Sequence, residues 1–208
     1  MPAEATPLTT TSAETPVTHP VADPGPLGLA GFALTTFVLS FLNAGIIKES
    51  AGGTVVLGLA LFYGGVAQLL AGMWEFKRGN TFGATAFSSF GAFWLSFWEI
   101  NRLAASSTGG DFHKTLGLFL FAWFIFTAYM TVAALRTNTA VLAVFAALTL
   151  TFLFLAIGAW QNGSPAPDSL TKVGGYLGIV TAVLAWYASF AVVVNETHKK
   201  QLLPTWPR

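Results

Sequence analysis

Two side-chain amides, Asn43 and Gln68, and a scatter of hydroxyls are the groups in this chain that could do chemistry within long apolar runs. The chemistry open to them is hydrogen bonding to a small polar solute. An amide in lipid needs partners for its donors and its acceptor, so each either lines a wet path or bonds a neighbouring helix. Phe32, Thr36, Leu39 and Asn43 follow steps of four, three and four residues, which places a ring, a hydroxyl and an amide on one helical face flanked by Thr35 and Ser40. Thr85, Ser88, Ser89, Ser96, Thr149 and Thr151 add hydrogen-bonding groups in other runs. A single Ser or Thr more commonly bonds a carbonyl of its own helix.

Groups for covalent chemistry are missing. The sequence has no nucleophile elbow, no HExxH, no glycine-rich phosphate loop and no paired carboxylates at depth, so no catalytic set is expected. Zero cysteines exclude disulfides and thiolate ligands. His19, His113 and His198 fall outside the centres of the apolar runs, so neither a buried metal centre nor a cofactor is expected. Glu49, Glu75, Glu99, Glu196, Lys48, Arg102 and Arg136 lie at or near the ends of those runs. A middle without fixed charge argues against a pump whose protons hop along buried carboxylates.

The elements that must position these groups are written in the composition. Of 208 residues, 54% are hydrophobic and 9% charged, against about 25% charged in a soluble domain. The net charge of +1 offers no basic face for nucleic acid. Six runs long enough to cross a bilayer extend from Leu27 to Ile47, Val55 to Trp74, Phe82 to Leu103, Leu116 to Leu135, Ala140 to Trp160 and Val173 to Asn195. Glu99 and Arg102 shorten the apolar part of the third. The runs are continuously apolar rather than alternating, so the expected fold is an all-α integral membrane bundle of six transmembrane helices.

An even number of spans puts both termini on one side. Lys77, Arg78, Arg136, Lys199, Lys200 and Arg208 share that side, while Lys48, Arg102, Lys114 and Lys172 lie opposite. Six cations against four favour cytoplasmic termini in the cell membrane. Residues 1–22 lack the positive start and apolar stretch of a cleavable signal peptide and read as a disordered cytoplasmic tail, residues 23–197 as the transmembrane domain, and residues 198–208 as a cytoplasmic C-terminal tail.

Small residues repeat at Ala60, Gly64, Gln68 and Gly72, and at Gly174, Gly178 and Ala182. Such stripes serve close packing, within one bundle or between subunits. Trp74 and Trp160, at span ends, suit interface anchoring. In DPGPLGLAGF, Asp23 suits a helix N-cap and Pro24 the first helical position. The positive end of that helix could also receive an anion.

Three segments go beyond generic membrane patterning: DPGPLGLAGFALTTFVLSFLNAG (Asp23 to Gly45), FYGGVAQLLAGMWEFKRGNTFGATAFSSFGAFW (Phe62 to Trp94) and VVNETHKKQLLP (Val193 to Pro204). Together they resemble the acetate uptake transporter family, whose opening motif reads Asn-Pro-x-Pro-Leu-Gly-Leu. The resemblance implies a six-helix protomer with its own pore, a homo-hexamer, and transport of acetate and related short-chain carboxylates, with succinate and protons as candidate cargo. It also implies a hydrophobic constriction, which motif matching assigns to Phe32, Phe90 and Leu148. Asp23, Thr36, Asn43, Gln68 and Thr85 are then the expected substrate-binding or pore-lining groups. Phe90 stands where the bacterial pattern has Tyr, and Asp23 where the motif usually has Asn.

Moving an uncompensated carboxylate into an apolar ring costs many kcal/mol. Either the substrate crosses protonated, or it stays partly hydrated and passes between donors such as Thr36, Asn43 and Gln68. With no buried protein carboxylate expected, the substrate itself would carry any coupled proton. The rival expectation is a channel for a neutral solute such as urea or a short amide. A sensor or scaffold is disfavoured by the short tails.

Overall fold

The computed structural model describes residues 21–48, 53–104, 111–161 and 168–207. The tail expected over residues 1–20 lies outside them. Six membrane-length helices follow one another: α1 (Gly25–Asn43), α2 (Thr54–Arg78), α3 (Thr81–Ala104), α4 (Phe112–Ala134), α5 (Thr139–Gln161) and α6 (Ser169–His198). The shortest has 19 residues and rises about 28 Å, close to the hydrocarbon thickness.

Five of the six pass on length and hydropathy together as membrane spans. The exception is α3, where Ser88, Ser89, Ser96, Glu99, Asn101 and Arg102 dilute the apolar run. Its two charges neutralise each other at the helix end. Glu99 accepts from Arg102 Nε and Nη2, both at 2.7 Å, and the guanidinium lies 5.7 Å from the Trp98 ring centre.

The helices pack in the order α4, α5, α6, α1, α2, α3, with the α3–α4 seam the sparsest. Both small-residue stripes face inward. A Cβ on Gly72 would meet Ser88 of α3, and one on Gly174 or Gly178 would meet Leu155 or Ser40, while Ala60 and Ala182 have no exposed surface. The stripes therefore pack this bundle together. Residues 62–67 of α2 form a π-helical segment. Steps of four residues drift about 40° per step around an α-helix. The wider π turn offsets that drift, so Ala60, Gly64, Gln68 and Gly72 all stay buried.

Several membrane hydroxyls bond within the bundle. Thr35, Thr127, Thr149, Thr151 and Thr181 each donate to the carbonyl four residues back. Thr131 bonds Thr149 at 2.8 Å across α4 and α5, and Thr151 bonds Thr181 at 3.3 Å across α5 and α6. Trp74 and Trp160 are exposed on the bundle surface, and Trp160 Nε1 donates to the Lys114 carbonyl.

The start of α1 differs from expectation. Pro24 is the N-cap and Gly25 the first helical residue; Asp23 stands one position earlier, with its Oδ1 accepting from Gly25 N at 2.8 Å. The C-terminal tail is folded back against the bundle. Asn195 Oδ1 accepts from Leu202 N and Leu203 N, Tyr187 Oη donates to the Pro204 carbonyl at 2.6 Å, and the Trp206 carbonyl accepts from Thr139 N at the start of α5.

Candidate solute pathway

On the side of the termini a vestibule of about 200 Å³ opens between α1, α3 and α5. Its polar rim is Asp23, Glu75, Asn80, Thr137 and Asn138; its floor is Leu29, Ala86, Phe87 and Phe145. Those four floor residues also wall a deeper cavity of about 20 Å³, roughly the room of one water molecule. Phe32, Gln68, Phe90, Val144 and Leu148 complete its lining, and none of its lining residues is charged.

Phe32 and Phe90 approach with ring centres 5.8 Å apart. Phe90 is also the hub of an aromatic plug, with Trp123 at 5.7 Å, Phe126 at 5.4 Å and Phe152 stacked at 6.4 Å. Phe93 extends the plug to Phe119 and Trp123. Ring-on-ring packing in these tilted and edge geometries is individually worth about 0.5–1.5 kcal/mol beyond area burial. The plug was missed from the sequence, although the spacings Phe90–Phe93–Phe97 and Phe119–Trp123–Phe126 mark an aromatic stripe on α3 and another on α4.

The expected polar groups divide. Gln68 lines the inner cavity; it is 1% exposed and its Oε1 has no partner. Thr36 is buried one turn beyond Phe32 with an unpaired hydroxyl, outside the linings of both cavities. Asn43 ends α1, where Gly175 of α6 passes its backbone, and Thr85 is half-buried on α3; neither lines the vestibule or the inner cavity. Asn43 shares the helical face of Phe32 but stands three turns further along, at the far end of α1.

Asp23 at the mouth is paired, with Arg78 Nη1 2.6 Å from its Oδ1. One electrostatic expectation is corrected. A buried carboxylate does exist. Glu75 is 2% exposed, its Oε2 accepts from Asn80 Nδ2 at 2.9 Å, and Arg78 stands 3.9 Å away. Asn80 in turn accepts from Gly83 N, so the residue that caps α3 also holds Glu75. A carboxylate counted as a span end is thus enclosed by a segment preceding α1 and by the α2–α3 turn.

A family model described as the GPR1/FUN34/yaaH family matches residues 6–207. The chain belongs to that family. Among GPR1/FUN34/yaaH relatives, "Acetate permease A" of Emericella nidulans is 42% identical over 88% of this chain. The chain spans 65% of that relative's own length, less than two thirds. "Succinate-acetate/proton symporter SatP" of Escherichia coli K12 is 36% identical over 88% of this chain and 95% of its own. The solved bacterial acetate channel SatP superposes with a TM-score of 0.81 at 35% identity, covering 89% of this chain and 99% of that one. Family membership and this likeness, together with the apolar helices, make the chain a multi-pass membrane protein of six helices. In this member of the GPR1/FUN34/yaaH family, position 90 meets rings: Phe32, Trp123, Phe126, Phe145 and Phe152 surround it.

Proposed function

We propose that each chain forms a pore through its own bundle for acetate and related short-chain carboxylates, narrowed at Phe32, Phe90 and Leu148. The observation that carries this reading is the uncharged inner cavity, which brings these three side chains and one amide together directly beneath a polar vestibule. A methyl or short methylene body suits the apolar ring. The hydrophilic head first meets the amides of Asn80 and Asn138 in the vestibule. The names of the relatives, an acetate permease and a succinate-acetate/proton symporter, support the same cargo.

Purified protein in liposomes is expected to give saturable uptake of radiolabelled acetate, inhibited by propionate and responsive to an imposed pH gradient. Uptake no faster than in empty liposomes would refute the assignment.

Both termini are cytoplasmic in this reading, on the strength of the six-against-four cation distribution, and the assembly is a homo-hexamer by family resemblance. The chain has no cysteine, so a single cysteine introduced at Ser12 is a unique label site. An impermeant maleimide added to intact cells should leave it unmodified; efficient labelling from outside reverses the topology.

A further inference from the structure

The inner cavity contains one hydrogen-bonding side chain, and its environment defines what it can bind. Gln68 is 1% exposed, lines the cavity and has a carbonyl oxygen with no partner. It is the first residue after the π-helical segment 62–67, whose wider turn keeps this position facing the bundle interior. The groups facing it are Leu29 and Phe32 of α1, Phe87 and Phe90 of α3, and Phe145 and Leu148 of α5. None of these titrates. The charged groups Asp23 and Glu75 line the vestibule, Glu75 two helical turns further along α2, and Arg78 pairs with them.

An amide offers one acceptor oxygen beside a donor nitrogen, and turning it end for end only exchanges their places. A carboxylate has acceptors alone. It could use the nitrogen, but would set its second oxygen against an unsatisfied carbonyl with no cation to offset the charge. A carboxylic acid matches both atoms: its O–H donates to Gln68 Oε1 while its carbonyl accepts from Nε2. A primary carboxamide presents the same donor and acceptor without any charge.

We propose that the inner cavity binds the protonated acid rather than the carboxylate, with the Gln68 amide paired to the carboxyl group and the alkyl body against Phe32, Phe90 and Leu148. The proposal rests on the transport reading above and adds which form of the substrate the narrow site takes. The binding step is R–COO⁻ plus one proton from solvent giving bound R–COOH, with no other bond made or broken. The cavity as it stands is closed to anything larger than about one water. Phe87 and Phe145, the rings shared with the vestibule, are the ones that must turn aside.

Calorimetric titration of the full-length protein in detergent, at pH 7 in buffers of different ionisation enthalpy, tests this with acetate and with acetamide. A carboxylic acid with a pKa near that of a glutamate side chain, about 4.3, is almost wholly ionised there. Binding of the neutral form is therefore expected to take up about one proton per acetate and none per acetamide. Linkage then raises the apparent Kd for total acetate about tenfold for each pH unit and leaves that for acetamide flat. Gln68→Leu should weaken both ligands together, roughly tenfold, as two neutral hydrogen bonds are lost.

Acetate bound without proton uptake, or acetamide failing to bind, overturns the proposal while leaving the transport reading intact. Unchanged affinities in a folded Gln68→Leu protein overturn the role of Gln68. Should that variant not fold, the wild-type proton count and acetamide binding decide alone. An absence of acetate flux in liposomes is the separate result that sinks the transport reading itself.

Discussion

Leu148→Ala is expected to raise the lactate-to-acetate flux ratio by roughly tenfold or more. One methylene in an apolar pocket discriminates by about 1–3 kcal/mol, and this change removes three carbons from a cavity of about 20 Å³ shared with Phe32 and Phe90. The two rings are braced by the aromatic plug and cannot readily collapse into the space, since Phe90 packs on Trp123, Phe126 and Phe152. Buried Leu→Ala changes cost about 2–5 kcal/mol in stability, more where the site cannot collapse. Flux is therefore compared at matched protein density. An unchanged ratio takes Leu148 out of the narrow point.

Gly175→Val is expected to destroy the folded bundle. A Cβ at this position would fall on the backbone of Asn43 and Ala44 at the end of α1. No side-chain rotation relieves a clash with main chain, so α1 and α6 would have to separate along one of the closest contacts in the structure. Overpacking ordinarily costs about 1–3 kcal/mol, and a backbone clash falls at or beyond the upper bound. The measurement is the amount of protein in the membrane and its thermal unfolding in detergent. Gly58→Ala is the control. Nothing lies within 4 Å of its added methyl, and alanine is the better helix former by about 1 kcal/mol, so that variant should accumulate normally. A Gly175→Val protein with unaltered thermal stability would show that the two helices are not held at this distance.

Helix count and approximate position were legible because they depend on local physics. Lipid forces every backbone group to bond within its own segment, and the run length follows from bilayer thickness. The expected Ala140–Trp160 span and the observed Thr139–Gln161 helix differ by one residue at each end. Larger differences arose where polar residues continue a helix beyond the hydrocarbon, as at Glu75–Arg78 and at Glu196–His198. The trio Phe32, Phe90 and Leu148 was assigned by motif resemblance from three separate helices, and the fold brings all three to one cavity. The pairing of Asp23 with Arg78 was not legible, because its partners are 55 residues apart and meet only when α1 lies against α2. Thr149 and Thr151 read more readily as bonded to their own helices, and both are, but their cross-helix partners Thr131 and Thr181 come opposite them only in the folded bundle.

What the sequence alone determined is a six-span membrane chain, with an uncharged middle, of one recognisable family. Tertiary structure decided which side of each helix looks inward. In a soluble bundle the apolar face announces itself, since water selects the other face as polar. Lipid is as apolar as the interior, so both faces of a membrane helix carry the same kinds of residue and hydropathy loses its direction. For that reason Gln68 faces a cavity while Thr85 does not, Glu75 is enclosed rather than exposed, and rings of α1, α4 and α5 gather around Phe90, none of which follows from the order of residues alone.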